Sequence, residues 1–546
     1  MPGEQRREAA IDAFSHDLDA LVVGAGFAGL YMLHKLRELG FRAQAIEAGA
    51  DVGGTWYWNR YPGARCDIPS IEYSYSFSPE LEREWRWTER YAAQPEILAY
   101  LNHVADRFDL RRGIRFETRV TAAEWDDARA RWTVTLDDGT IRSASFLILA
   151  TGALSAPKTP DLPGLDCFAG AILHTALWSD HVRIDGRRVA VFGTGSSGIQ
   201  VIPQLAARAA QLTIFQRTPN FAVPAGNHAL TEQQLAQAAK TLARDREAAR
   251  RSALGFFSTP RPGSAKADSA AARAARFEEH WGAGTTGMLL AYEDLLFDLE
   301  SNGHAAQFIR DKVAAIVRDP EKIRKITPTG YPLGARRMCS EIGFYDTVAQ
   351  DNVALVDVHE DPVVAVEGDA IVTRHGRHPI DVIVFATGFD ACVGAIRAIE
   401  IRGRGNVSLA EEWENGPRAY LGLAVAGFPN LFTITGPGSP SVLSNVILSI
   451  EQHVEWIARC LSDLRARGGM TIEADADAEQ AWMAHSDEVA QLTLFPRADS
   501  WYKGRTRDGR EVFMPYVGGV GAYRAKCDAV ASSGYAGFTI KESVAA

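Results

Sequence analysis

Two sets of three glycines carry the chemistry that is read first. Gly24, Gly26 and Gly29 make one Gly-x-Gly-x-x-Gly, and Gly193, Gly195 and Gly198 make a second. Each follows a short apolar run, Ala20 to Val23 in the first case and Val189 to Phe192 in the second, and each opens into apolar residues at helical spacing. A strand turning directly into a helix is the context in which this motif holds a dinucleotide. The first glycine permits the tight turn, the second lets a pyrophosphate approach the backbone, and the third lets the helix lie close on the strand. The free N–H groups and positive dipole at the helix start meet the phosphate charge. One copy alone would also suit an ordinary glycine-rich turn; two, each with its strand and helix, are read as two dinucleotide sites.

The ends of the following strands differ in sign. Glu47 stands eighteen residues after Gly29, at the end of the run Arg42 to Ile46. Its carboxylate can accept hydrogen bonds from a ribose 2′-OH and would repel a 2′-phosphate, which fits FAD or NAD. Arg217 stands nineteen residues after Gly198, just past the run Leu212 to Phe215. A guanidinium there suits the 2′-phosphate of NADP through charge-assisted, bidentate contacts. The sequence thus predicts FAD at the first site and NADPH at the second, where Thr194, Gly195, Ser196, Ser197 and Gly198 form the phosphate turn.

The elements that must position these residues can be followed along the chain. Residues 53–67, which include Gly54, Thr55, Trp56 and Asp67, are dense in aromatics and read either as a hydrophobic plug or as the wall for a flat cofactor ring. A strand pair ends in Ala150-Thr151-Gly152, and the proline-rich run Pro157 to Gly164 reads as a linker. Between Thr231 and Ile326 the periodicity is helical, opened by the capping box Thr231-x-x-Gln234. The strand Asp381 to Phe385 then ends in a second Ala-Thr-Gly, 386–388, which suggests the chain returning to its first domain. The predicted fold class is α/β, with two Rossmann-like dinucleotide-binding domains and an inserted helical subdomain. The expected division is 1–155 and 386–546 for FAD, 156–225 and 331–385 for NADP, and 226–330 for the insertion.

Composition sets bounds on function. A chain of 546 residues is long for one core and suggests about three domains. The formal net charge of −10 offers no basic field for nucleic acid or anionic lipid. Six scattered cysteines with no Cys-x-x-Cys pair disfavour a zinc site and a dithiol redox centre. Residues 1–17 lack an apolar core of the signal-peptide kind, and the longest apolar run, Ala20 to Leu33, is too short to span a bilayer. The expectation is a cytoplasmic enzyme with free thiols, without metal, nucleic-acid or membrane partners, as a monomer or small homo-oligomer.

Between the two glycine motifs lies Phe168-x-Gly170-x-x-x-His174-x-x-x-Trp178. It resembles the fingerprint of type I Baeyer–Villiger monooxygenases, flavoproteins that insert one oxygen of O₂ beside a ketone carbonyl to give an ester or lactone. The likeness extends over nearly the whole chain, through 53–67, Arg217-Thr218-Pro219, Gly334 to Arg337, 436–445, Trp501-Tyr502 and 513–519, and is nearest to the phenylacetone and steroid monooxygenase branch. The resemblance implies that NADPH reduces FAD, that a flavin peroxide attacks the ketone, and that Arg337 stabilises the tetrahedral adduct with Asp67 as its acidic partner. It further implies Ile68, Tyr73, Val120 and Val446 at FAD. Arg65, Gln200, Thr218, Arg336 and, on a mobile loop, Trp501 are implied at NADP. Phe168, Gly170, His174 and Trp178 become a linker and hinge. Without the resemblance, Arg336-Arg337 reads as a solvated surface pair and His174 as a core or hinge histidine.

Two positions depart from the family pattern. Ser179 stands where the fingerprint usually ends in Pro or Asp, and Ala153 replaces a larger polar residue of the phenylacetone branch. Two other readings remain open on sequence: a flavin monooxygenase oxygenating nitrogen or sulfur, and a redox-sensing flavoprotein without turnover. The linker fingerprint and the arginine pair favour the ketone reaction.

Overall fold

The computed structural model describes residues 17–542, so the reading of the first sixteen residues lies outside the described part. The first sheet is built from β1 (Asp17–Val23), β2 (Ala43–Ile46), β3 (Ile114–Arg115), β4 (Val120–Asp126), β5 (Arg131–Leu136) and β6 (Ile141–Leu149). β1 is the centre of its parallel part, flanked by β2 and β6, while β4, β5 and β6 form an antiparallel meander. The second sheet is wholly parallel. Its strands β7 (Ala171–His174), β8 (Arg188–Phe192), β9 (Gln211–Gln216), β12 (Val353–Asp357) and β16 (Val382–Phe385) lie in the order β12-β9-β8-β16-β7. A short parallel pair, β10 (Ala222–Pro224) with β11 (Cys339–Glu341), stands beside it, and β13 to β15 (Val363–Glu367, Ala370–Thr373, Arg377–Pro379) form a small antiparallel sheet. The chain then rejoins the first sheet through β17 (Glu400–Arg402), on the edge at β4, and β18 (Leu431–Thr433), beside the later half of β6.

The two glycine turns are built alike, and the reason lies in the Ala-Thr-Gly runs. Gly24 (φ +106°) and Gly193 (φ +104°) take a backbone conformation that side chains resist. A Cβ on Gly24 would lie 2.6 Å from the Ala150 carbonyl oxygen, and one on Gly193 would lie 2.6 Å from that of Ala386. A Cβ on Gly29 or Gly198 would strike the carbonyl of Gly24 or Gly193, at 1.8 and 2.1 Å. Each Ala-Thr-Gly therefore ends the strand against which its own glycine turn closes.

The chain crosses between the sheets twice, and the crossings are tied into one antiparallel ribbon. Lys158 N donates to Gly388 O (2.9 Å), Asp390 N to Ala156 O (2.9 Å) and Cys392 N to Ala153 O (2.7 Å). His174 lies opposite Phe385 in the β7–β16 register, at the mouth of this ribbon. The Thr231–Gln234 capping box forms, and the insertion is helical as the periodicity requires, with helices Glu232–Arg251, Ala270–Trp281, Gly284–Leu289, Leu299–Val317 and Pro320–Ile326. Its apolar residues Phe277, Tyr292, Ile309 and Val313 share one core with Val189, Val191 and Ile214 of the second sheet. Among the described residues no helix is long and apolar enough to cross a membrane.

Candidate active site

One cavity of about 1700 Å³ runs between the sheets and reaches both glycine turns. At its first end it is lined by Gly24, Gly26, Glu47, Val120 and Val446, and along its floor by Gly54, Thr55, Trp56, Asp67, Ile68 and Tyr73. At the other end stand Thr194, Gly195, Ser196, Ser197, Gln200, Arg217, Thr218 and Arg336, with Arg65, Arg337 and Trp501 between. Gly29 and Gly198 are set back, where their bare Cα atoms let the helices pack. Phe168, Gly170, His174 and Trp178 also lie off the cavity: Phe168 belongs to the apolar cluster that holds Phe192 and Phe385, a Cβ on Gly170 would meet Asp381 O at 2.3 Å, and Trp178 leans on the second core.

The two ends fit the two nucleotides. The helices Phe27–Glu38 and Ser196–Ala206 begin at Gly26 and Gly195 without a side-chain cap, so first-turn N–H groups are left for an anion. Glu47 braces the first turn, its carboxylate accepting from Ala25 N and Gly49 N, both at 2.7 Å. At the second end the exposed Arg217 has no hydrogen-bond or ion-pair partner among the described residues. Arg336 lies over the Tyr331 ring (5.0 Å) and near Asp499 (3.9 Å), with its buried Nε unpartnered. Two cations with donors to give are what a 2′-phosphate dianion requires.

Midway along the cavity the guanidinium of Arg337 meets the carboxylate of Asp67 in a bidentate pair, Nε to Oδ2 at 2.9 Å and Nη2 to Oδ1 at 2.7 Å. Nη1 donates to the Val442 carbonyl at 2.8 Å. Burial by itself would favour loss of the Arg337 proton, but the attraction and hydrogen bonds of Asp67 outweigh it and raise the pKa further, so the cation is permanent. The insertion positions this arginine. Asn302, buried on the helix Leu299–Val317, accepts from Leu333 N (2.9 Å) and donates to Leu333 O (2.8 Å), and Gly334 (φ +81°) turns the chain toward Arg337.

Further side chains show duties that spacing could not reveal. The Gln200 amide is engaged within the protein, its Oε1 accepting from Tyr61 Oη (2.7 Å) and Arg65 N (3.3 Å) and its Nε2 donating to Arg65 O (3.0 Å). It thus joins the second nucleotide helix to the segment that carries Asp67. Arg65 is itself paired with Glu89. His174 Nδ1 accepts from Ala176 N at 3.0 Å; burial lowers its pKa, and the Lys158 main chain beside the ring opposes that fall only in part, so the ring is neutral. The role of the Val442 carbonyl was hidden because any residue has a carbonyl; the only signal was the Gly436 to Pro440 run, a mark of close backbone approach. Near Arg337, Ala153, Val442, Leu443, Phe495, Tyr502 and Phe513 gather into one apolar cluster, with Trp501 against Tyr502 (4.5 Å). Burial pushes the Cys66 thiol up and that of Cys339 up to about 12, so neither is a nucleophile at neutral pH.

Two uncapped nucleotide-binding helices, with a fixed cation between them, define a flavin- and NADP-dependent oxidoreductase. Residues 21–244 match the family described as pyridine nucleotide-disulphide oxidoreductase, although the described cysteines are all free. A Baeyer-Villiger monooxygenase of Pseudooceanicola batsensis is 40% identical over 526 residues, 95% of this chain and 95% of that one. A phenazine N-monooxygenase of Lysobacter antibioticus is 41% identical over 535 residues, 97% and 98% of the two chains. Among solved structures, an oxidised steroid monooxygenase bound to NADP is 49% identical and superposes with a TM-score of 0.92, covering 96% of this chain and 100% of that one. The chain belongs to the Baeyer–Villiger monooxygenase family, and it is an FAD- and NADPH-dependent enzyme of that class.

Proposed function

We propose that the protein converts an uncharged, largely apolar ketone into an ester or lactone, and that Arg337 is the group that stabilises the transition state. The overall balance is ketone + O₂ + NADPH + H⁺ giving ester, water and NADP⁺. The observation that carries the reading is the threefold hold on Arg337. Of the five N–H donors of a guanidinium, three are fixed by Asp67 and Val442, leaving two for an oxygen on which negative charge develops. Oxygenation of a nitrogen or sulfur lone pair creates no such oxyanion on the substrate, so this arrangement favours the ketone reaction.

FAD bound along Gly24, Gly26, Glu47, residues 54–56, Asp67, Ile68, Tyr73, Val120 and Val446 supplies the activation of O₂, with NADPH at residues 194–198, Arg217, Thr218, Arg336 and Trp501 as hydride donor. On this reading 1–155 with 386–546 forms the FAD domain, 156–225 with 331–385 the NADP domain, and 226–330 the insertion that holds the Arg337 loop. Asp67 keeps the cation oriented, and its negative charge balances Arg337 until the substrate oxygen becomes anionic. The apolar cluster of Val442, Leu443, Phe495, Tyr502 and Phe513 excludes water, which strengthens the field of Arg337 on its target. Ala153, where the phenylacetone branch carries a larger polar residue, leaves that wall apolar and widens it.

The test is to reduce the protein anaerobically with NADPH, admit O₂ and analyse products over aliphatic, aryl and polycyclic ketones. Ester should form with the wild type, whereas Arg337→Ala should reduce its flavin but release peroxide instead of ester. Full ester yield from Arg337→Ala would overturn the assignment.

A further inference from the structure

The short ladder of β10 with β11 carries a consequence for catalysis. Its register pairs Ala222 with Cys339, and Cys339 N donates to Phe221 O at 2.9 Å. Counting back two residues sets Asn220 opposite Arg337, just beyond the last backbone bond. There the Asn220 side chain takes over from the ladder: Nδ2 donates to the Arg337 carbonyl at 3.1 Å and reaches Cys339 Sγ at 3.2 Å. A carbonyl only accepts, so the amide must turn its NH₂ toward Arg337. Its oxygen is then free to accept from Tyr331 Oη at 3.0 Å, and that hydroxyl also reaches Pro219 O at 2.9 Å. The Tyr331 ring is the surface on which Arg336 rests.

Asn220 therefore ties together three things of different function. It lines the cavity two residues after Thr218, at the end that carries Arg217; it braces the tyrosine beneath Arg336; and it holds the backbone of Arg337. Cys339 extends the same knot to the second nucleotide helix, its Sγ lying 3.3 Å from Ser196 Oγ. We propose that Asn220 is a positioning residue that couples occupancy of the 2′-phosphate end of the cavity to the placement of the Arg337 guanidinium. When Arg217 and Arg336 draw in on a phosphate, Tyr331 and Asn220 transmit the shift to the Arg337 main chain. The residue belongs neither to the phosphate site nor to the ketone site, yet each is misplaced when it is lost. The proposal rests on Arg337 being the group that stabilises the substrate oxyanion.

The experiment uses the full-length, FAD-loaded protein with Asn220→Ala, Asn220→Asp, Asn220→Ser and Arg337→Ala. Three quantities are read: NADP⁺ affinity by calorimetry, ester formed per NADPH consumed with peroxide counted, and melting temperature. Asn220→Ala should weaken NADP⁺ and lower the ester-to-NADPH ratio, each by about fivefold or more, and flavin reduction at saturating NADPH should slow far less. Asn220→Asp, which turns an oxygen toward the Arg337 carbonyl, should do worse at equal melting temperature. Asn220→Ser, with a donor kept, should recover part of both. Parental coupling and NADP⁺ affinity in Asn220→Ala and Asn220→Asp, beside an uncoupled Arg337→Ala, would overturn the proposal. So would a loss that merely tracks melting temperature across the three variants. If Arg337→Ala itself stays coupled, the fault lies with the reading of Arg337 instead.

Discussion

Replacing Asp67 by asparagine gives the sharpest test of how the Arg337 cation, proposed above to stabilise the substrate oxyanion, is held. The change preserves volume but leaves one carbonyl oxygen where the carboxylate presents two, and it turns an NH₂ group toward the guanidinium. Of the contacts at 2.9 and 2.7 Å, one survives as a hydrogen bond from the cation to an uncharged amide oxygen and the other becomes donor against donor. A hydrogen bond to a charged group contributes about 1.5–3 kcal/mol, and each 1.36 kcal/mol is tenfold in rate. Ester formation should therefore fall by about ten to 150-fold. The guanidinium stays charged and keeps its bond to the Val442 carbonyl, so the loss should be smaller than that of Arg337→Ala, from which the cation itself is gone. Rapid mixing of reduced enzyme with O₂ and ketone, with ester and peroxide quantified, measures the effect; FAD content and melting temperature show whether the variant is intact. An intact Asp67→Asn protein with unchanged rate and yield would refute the view that the bidentate pair orients Arg337.

Two further outcomes follow from the same geometry. Arg217 has no competing partner among the described residues, so Arg217→Ala should weaken NADPH by about ten to 150-fold while barely changing NADH, the loss of one charged hydrogen-bonded contact of about 1.5–3 kcal/mol; equal effects on both nucleotides in a titration would refute the 2′-phosphate role. Glu72 makes stability depend on pH. Burial pushes its carboxyl from 4.5 up to about 7, and Asp245 adds to the rise, while the Phe257 N–H, Arg246 and Arg90 pull against it. The folded state then binds a proton that the unfolded chain has lost between pH 4.5 and 7, so stability declines over that window and levels off above it, by about 3 kcal/mol in all. Glu72→Gln, which can still accept from Phe257 N, should flatten that slope; parallel melting curves for the two proteins at pH 5 and pH 8 would count against it.

The parts of this molecule that could be read in the sequence are those where a single residue type is compelled by backbone or charge. Gly24 and Gly193 must be glycine because each faces a strand-end carbonyl at a distance that admits no Cβ, so both turns announced themselves. The opposed signs of Glu47 and Arg217 were legible for a similar reason, since they sit at fixed steps after those turns. The helical insertion was legible from its period and its capping box. The composition of the first sheet was less so: β17 and β18 are three residues each, too short for any pattern, and they join a sheet built almost three hundred residues earlier.

What the sequence could not supply is which groups hold each other. Asp67 and Arg337 are 270 residues apart, and only the resemblance to a family paired them before the fold did. Gln200 shows a second bond set that spacing does not reveal. The resemblance implied a contact to NADP, and the structure leaves Gln200 on the cavity wall while adding a duty within the protein, its amide being bonded to Tyr61 and Arg65. An amide offers both a donor and an acceptor without a charge to bury, and its desolvation is offset once both are bonded, so it can mimic a backbone unit wherever two segments meet out of ladder. Gln200 and Asn302 do this against the main chain of Arg65 and Leu333, and Asn220 donates to the Arg337 carbonyl while accepting from the Tyr331 hydroxyl. The pair of Asp67 and Arg337 is thus held by more than its own ions, with Asn302 on its helix and Asn220 in the loop before β10 bonded to the segment that carries Arg337, because a salt bridge fixes the distance between Asp67 and Arg337 but not where the pair sits in the cavity.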